Sequence, residues 1–199
     1  MVSETSIHVS KDKTSRKALA TILIVTLVIV VAVVGYWFLS RSPGYSWLFR
    51  GAYSKYYGET TVPRGDALVR VQMNLRIEVL NFNKTHAKIL FYMKVETPWE
   101  IQEYQNLTWS DLSRKSYEME GFTLKKTYEQ ETYIENFGVK VCIIYEFESQ
   151  KMGTIMTLYV DKQTFWPLKF KLTTEAIHNM PAISLDLNLM ETNIPQIKS

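Results

Sequence analysis

The sequence predicts a mainly β protein, with a single N-terminal transmembrane helix followed by an antiparallel, curved β-sheet domain. Two observations support this class. The stretch from Ala18 to Leu39 contains no charged residue. After residue 66, most of the chain alternates apolar and polar residues with the period of two that is typical of strands with one buried face. Because each strand has one apolar side to cover, we expect either a half-barrel around a short helical insert or a sandwich.

The apolar stretch has the length and composition of a membrane span. As a helix it would extend about 33 Å, at about 1.5 Å per residue, which is enough for a hydrocarbon core about 30 Å thick. Thr21 and Thr26 are its only small polar residues, whereas a soluble helix carries a whole polar face. Residues 1–17 are polar and lack apolar periodicity, so we expect a disordered cytoplasmic tail there.

Positive charges predict how the span is oriented. They concentrate on its N-terminal side, at Lys11, Lys13, Arg16 and Lys17. Because cytoplasmic flanks carry the excess of Lys and Arg, we expect a single-pass protein of the cell membrane with its C-terminal domain outside the cytoplasm. The lipid bilayer is therefore a predicted partner, together with other envelope proteins or further copies of the chain.

The residues at the start of the span resemble a processing site. Arg16-Lys17-Ala18-Leu19 is similar to the leader boundary of archaeal type IV pilin-like precursors, where cleavage follows a small residue preceded by a basic one. The resemblance implies an alternative in which the chain is processed after Ala18 and becomes a filament subunit. Removal as a secretory signal is not expected, because the apolar run exceeds about 15 residues and no A-x-A pattern follows it.

The remaining elements follow in order from the hydrophobic pattern. A juxtamembrane connector is expected over residues 40–65, since Ser42-Pro43-Gly44 ends the helix. The β domain is predicted over residues 66–192, with about seven strands, and residues 193–199 are predicted to form a flexible tail. The predicted strands cover residues 69–79, 87–95, 122–133, 139–147, 154–160, 168–174 and 183–189, mostly joined by short turns.

A helical insert is predicted between the second and third of these strands. Thr97-Pro98-Trp99-Glu100 has Thr at the N-cap, Pro at the first helical position and Glu at the third, which is a capping box. One or two short helices, or an irregular crossing, are therefore expected between Pro98 and Tyr117.

A second resemblance lies in residues 158–169. A strand, a turn at Asp161-Lys162 and a strand led by Pro167 resemble the hairpin of lipoprotein-carrier-type half-barrel proteins. The resemblance implies a curved sheet and, as a further alternative, a carrier or sensor of an apolar ligand or lipid. Packing of an ordinary core explains the same apolar positions. The residues that would contact such a ligand are Val71, Leu75, Phe91, Ile143, Phe170 and Leu187.

Residues with enzyme chemistry are few and scattered. His8, His86 and His178 lack metal-ligand spacing, and Cys142 is interpreted as a small apolar filler on its strand. Common nucleotide-binding and hydrolase motifs are absent from the sequence. We therefore expect no catalytic residue, no cofactor, no metal and a non-enzymatic function. The net charge of only +3, without a basic cluster, argues against a nucleic-acid partner.

Two N-x-T sequons are candidate glycosylation sites. Asn83 lies in the first hairpin turn and Asn106 in the predicted insert, so both are expected in loops of the external domain. Taken together, the sequence predicts a membrane-anchored protein that displays a β-rich domain for binding or for assembly with other envelope components.

Overall fold

A computed structural model describes residues 48–64, 67–111, 121–149, 153–174 and 182–198. The predicted tail, the predicted span and the pilin-like junction all lie outside these residues. No helix within the described ranges is long and apolar enough to cross a membrane. The elements are β1 (Tyr53–Arg64), β2 (Ala67–Phe82), β3 (His86–Glu96), β4 (Ile101–Asp111), β5 (Thr123–Ile134), β6 (Gly138–Ser149), β7 (Thr154–Asp161), β8 (Pro167–Thr174), β9 (Ile183–Thr192) and α1 (Pro195–Lys198).

The strands form one open, curved antiparallel sheet in the order β4-β3-β2-β1-β9-β8-β7-β6-β5. The mainly β prediction is confirmed, but the sandwich alternative is wrong and the described strands number nine rather than seven. Strands β4 and β5 are consecutive in the chain and occupy opposite edges of the sheet. A flat sheet of this size would have a diagonal of roughly 52 Å, whereas the link from Asp111 to Thr123 reaches at most about 43 Å. The sheet must therefore curve and bring its edges closer together.

The curvature has a local cause near the centre of the sheet. A Cβ atom added at Gly58 on β1 would overlap with the carbonyl oxygen of Asp186 on β9 and would lie 3.0 Å from Leu187 Cδ2. Beyond this point Thr60 Oγ1 donates to the carbonyl oxygen of Ser184 at 2.6 Å. Register shifts, which bend and twist strands, occur between Lys55 and Tyr56, Val79 and Asn81, Leu124 and Lys126, and Tyr159 and Val160.

Most buried apolar residues alternate along the strands on one side of the sheet, and all of them belong to a single hydrophobic core cluster. On β2 the buried positions are every second residue from Val71 to Val79, as the sequence predicts. The buried side of β3 runs from Ala87 to Val95 in the same alternating pattern. The central strand β1 contributes Tyr56, whose ring contacts Phe170 of β8 edge-to-face at 5.2 Å between ring centroids. The core thus spans both halves of the curved sheet.

The predicted helical insert is wrong over its described part, because residues 101–111 form the edge strand β4, and the rest of the predicted insert, residues 112–117, lies outside the described residues. The capping residues do make their local bonds: Thr97 Oγ1 accepts from the Glu100 amide at 3.1 Å. Here, however, this bond closes the turn between β3 and β4, where the Thr97 amide also donates to the Glu100 carbonyl at 2.9 Å. A cap contributes only about 1 kcal/mol, and pairing of β4 with β3 from Glu96↔Ile101 to His86↔Asp111 outweighs it.

The predicted connector and the predicted flexible tail also need correction where the structure describes them. Residues 53–64 form the central strand β1. Its inward positions are Ser54, Tyr56 and Gly58, so it lacks the alternating aliphatic residues by which a strand is usually recognised. At the C-terminus, Ile194 and Ile197 are buried in the core cluster. The side chain of Asn193 accepts from the Tyr53 amide and donates to the Gly51 carbonyl, each at 2.7 Å. The C-terminal segment is therefore fastened to the start of β1.

Candidate functional site at the sheet edge

The predicted ligand-contact residues lie on the core side of the sheet. Val71, Leu75, Phe91, Phe170 and Leu187 are almost completely buried within the core cluster. Ile143 pairs with Val160 on β7 and is half-buried against the same cluster. The structure therefore brings all six residues to one face, where they contribute to the packing of the core.

The described residues with reactive or ligating side chains do not form a catalytic constellation. Burial raises the pKa of the Cys142 thiol, which keeps it protonated and weakly nucleophilic at neutral pH. His86 Nδ1 lies 2.8 Å from Thr85 Oγ1 in an exposed turn. Within the described ranges, no group of three His, Cys, Asp or Glu side chains could hold a metal ion.

The Asp161-Lys162 turn has a structural role. The buried Asp161 carboxylate accepts two hydrogen bonds through Oδ2, from the amide and from the hydroxyl of Thr164, each at 2.7 Å. The Asp161 amide donates to the Trp166 carbonyl at 2.9 Å, and Phe165 adopts a left-handed backbone with φ of 56°. These contacts close the hairpin between β7 and β8 and bury the carboxylate away from any ligand.

The outer face of the sheet is covered by tyrosines and paired charges. Lys55 Nζ lies 2.7 Å from Glu191 Oε2, and Arg70 forms an ion pair with Glu59. These cations hold the pKa of both carboxyl groups below its usual range, with help from hydrogen bonds donated by Tyr53 and Tyr57. Further pairs across this face are Arg76–Glu78, Lys94–Glu96 and Lys169–Asp186. The centre of the outer face is therefore a solvated, charge-balanced surface.

The β4 edge differs from the rest of the outer face. By register, Ile101, Leu107 and Trp109 lie on the same side as Glu96, Leu90 and Lys88 of β3, and all three side chains are about half exposed. No other described strand pairs with the outer side of β4. We refer to the backbone of β4 and these three side chains as the β4 edge.

The two edges of the sheet carry very different charges. The opposite edge strand, β5, has the charged residues Lys125, Lys126, Glu129 and Glu131 within twelve residues. Strand β4 contains Glu103 and Asp111 and no Lys or Arg. Natural proteins protect exposed edges with charge, especially Lys, so β5 has this protection and β4 lacks it. Sequence reasoning missed this site, because the capping box directed the interpretation of the segment toward helix.

The two sequons lie in different environments. Asn83 lies in the exposed turn between β2 and β3, where its Oδ1 accepts from the amides of Thr85 and His86 at 2.9 and 2.7 Å. Asn106 is exposed near the middle of β4, in register with Phe91 of β3. A glycan on Asn83 would project from a turn, whereas one on Asn106 would stand on β4, on the side of the sheet opposite to Leu107.

No protein-family model and no curated protein matches the chain. Among solved structures, it is similar to a crystal structure from Vibrio parahaemolyticus described as an outer membrane lipoprotein-sorting protein domain. The identity is 12%, the match covers 74% of this chain and 92% of that chain, and the TM-score is 0.23. At this level of similarity, neither ligand nor role transfers from that protein to this chain.

Proposed function

We propose that the chain is a single-pass, membrane-anchored, non-enzymatic binding protein whose external domain takes up an extended segment of a partner protein along the β4 edge. The observation that carries this proposal is a weakly charged edge strand with three exposed apolar side chains, whose outer side no strand among the described residues pairs with. The anchor is supported by the uncharged stretch Ala18–Leu39 and by its length.

Strand addition fits the chemistry of this edge. Alternate residues of an edge strand direct their N–H and C=O groups outward, and an extended partner segment can satisfy them. Ile101, Leu107 and Trp109 add apolar contact area on one side, and a Trp side chain is a frequent anchor in protein interfaces. Glu103 and Asp111 are the only charges on β4. The fitting partner segment therefore alternates apolar residues with polar or basic ones.

The proposal also requires that the anchor is retained. In the alternative filament subunit, processing after Ala18 would make Leu19 the first residue. N-terminal sequencing of the natural protein separates these two cases. An intact tail agrees with a tether, and a start at Leu19 would contradict it.

The binding site is tested by placing one charge on the β4 edge. Leu107→Lys, alone and combined with Trp109→Lys, is compared with Ile155→Lys, since Leu107 and Ile155 are 48% and 43% exposed. Tagged full-length chains are recovered from native membranes under mild detergent, and co-recovered proteins are quantified by mass spectrometry. We expect at least one partner at near-stoichiometric yield, lost severalfold in the β4 variants and retained in Ile155→Lys. Equal recovery by all three variants would contradict the proposal.

A further inference from the structure

We infer that one end of the curved sheet rests on the bilayer surface, with exposed aromatic and basic side chains in the lipid headgroup region. This inference rests on the proposed membrane anchor and extends it, because it specifies which part of the domain contacts lipid. We call this end the entry rim. It consists of residues 48–52, the turns at 83–85, 135–137 and 162–165, the adjoining strand ends, and α1.

Hydrogen bonds and strand register place these segments at the same end of the sheet. The Gly51 amide donates to the Val79 carbonyl at 2.8 Å, which joins the start of the domain to β2. The Lys162 amide donates to the Val141 carbonyl at 2.9 Å, which joins the β7–β8 turn to the start of β6. Strand β4 also ends here, since Asp111 is in register with His86 at the start of β3.

The entry rim exposes large apolar side chains. Tyr133 and Val139 are paired neighbours at the end of the β5–β6 hairpin and are 72% and 64% exposed. Phe82 at the end of β2 is also exposed. Tyr and Trp favour the membrane–water interface, where the ring contacts apolar matter and the polar atom reaches water.

The turns and termini of the entry rim are predominantly basic. Their cations are Arg50, Lys84, Lys162 and Lys198, and Glu135 is the only carboxylate in the same segments. Lys162 is ion-paired with Glu129 on β5, which leaves three cations in the turns and termini against Glu135 in a turn and Asp111 at the end of β4. Lys and Arg near a bilayer are attracted to lipid phosphates, most strongly to anionic lipids. The basic charge and the aromatic side chains of the entry rim therefore both favour contact with lipid headgroups.

The length of the preceding chain keeps this rim within about 29 Å of the end of the predicted span. Between the predicted span and Leu48 lie residues 40–47, which can extend at most about 29 Å. Leu48 and Phe49 pack against the core at this rim. The opposite end of the sheet lies farther away by a full strand, roughly 35–40 Å. β4 runs from the far end of the sheet at Ile101 to the rim at Asp111, so a seated rim would leave most of the β4 edge accessible to a partner from the side.

The test measures membrane contact at both ends of the sheet in the full-length chain. The chain is reconstituted in vesicles of phosphatidylcholine and phosphatidylglycerol, and nitroxide labels are attached at Tyr133→Cys or, at the far end, Leu68→Cys. These positions are 72% and 74% exposed, and the unsubstituted chain, whose only cysteine is the buried Cys142, sets background labelling. Val139→Cys is a second reporter for the entry rim. Accessibility to oxygen relative to a water-soluble nickel reagent is measured by electron paramagnetic resonance.

We expect the oxygen-to-nickel accessibility ratio to be severalfold higher at positions 133 and 139 than at position 68. Equal, water-like ratios at all three positions in a chain that resists carbonate extraction would overturn this inference and leave the anchor intact. Extraction of the chain by carbonate would instead overturn the proposed anchor, and the seated rim with it.

Discussion

Gly58 lies where β1 passes so close to β9 that an added Cβ atom would overlap with the Asp186 carbonyl oxygen. We predict that Gly58→Ala lowers the free energy of unfolding by about 2 kcal/mol or more, because overpacking a closed site costs about 1–3 kcal/mol and the obstructing atom is the Asp186 backbone carbonyl. Urea denaturation of the purified chain measures the change. Thr61→Ala, at an exposed position of the same strand, is the control and should change stability by under about 0.5 kcal/mol. Equal stability of both variants would contradict this account of the bend.

The buried Asp161 carboxylate holds the β7–β8 turn. Asp161→Ala leaves the Thr164 amide and hydroxyl without their acceptor, and an unsatisfied buried donor costs about 1–3 kcal/mol. We therefore expect a loss of stability in this range by urea denaturation, with Gln163→Ala in the exposed part of the turn as the matched control. A loss no greater than that of the control would show that the turn forms without the carboxylate.

The acid side of the pH–stability profile depends on Glu59 and Glu191. Their pKa values are lowered by Arg70 and by Lys55 respectively, with Tyr57 and Tyr53 also donating to them. A folded-state pKa below the unfolded value stabilises the protein above the ordinary Glu pKa, and this stabilisation is lost as the pH falls through the folded pKa. We predict that the Glu59→Gln, Glu191→Gln double variant loses less stability than the parent between pH 6 and pH 3, measured by urea midpoints. An unchanged pH slope would contradict these shifts.

At the scale of single elements, strands with aliphatic alternation are predictable and strands without it are not. The pattern from Val69 to Val79 fixes the buried face of β2, because burial of one face requires every second residue to be apolar. Strand β1 escapes prediction because Ser54, Tyr56 and Gly58 point inward. Ser54 bonds Thr192, Tyr56 contacts Phe170, and Gly58 leaves room for the Asp186 carbonyl. These three residues fit the neighbouring strands, and the sequence of β1 alone does not show that.

Strand β4 shows how pairing over many residues overrides a local signal. Its capping residues satisfy their hydrogen bonds equally well in a turn, so the capping box identifies a change of direction and not the element that follows. The candidate site depends on this difference. Whether a strand lies at the edge depends on the order of all strands in the sheet, and the sequence of one strand does not determine that order.

If a partner binds along β4, a glycan on Asn106 would interfere with that binding. A glycan on Asn106 would project from the middle of the strand that we propose to be the partner site, whereas Asn83 lies in the β2–β3 turn beyond the end of β4. In a host that glycosylates both sequons, we predict that Asn106→Gln increases partner recovery and Asn83→Gln leaves it unchanged, as measured by quantitative mass spectrometry. A rise with Asn83→Gln alone would place the partner at the β2–β3 turn.

For the whole molecule, the side of the sheet that could hold an apolar ligand is the protein's own core. Val71, Leu75, Phe91, Phe170 and Leu187 are as buried as their neighbours in one cluster, and loss of such packing costs several kcal/mol per large side chain. We predict that native mass spectrometry of the full chain, released from detergent in the gas phase, shows no lipid retained at fixed stoichiometry. A defined lipid adduct that is lost in Phe91→Trp would instead favour the carrier alternative.

Binding along the β4 edge is the central claim for the whole molecule, and photo-cross-linking in intact cells tests it most directly. A benzophenone amino acid is placed at Leu107 on β4 or at Gln130, an exposed position on the opposite edge strand β5. We predict a discrete covalent adduct from position 107 that disappears when Trp109→Lys is added, and no such adduct from position 130. Adducts of equal yield from both edges, or an adduct from position 130 alone, would contradict the account.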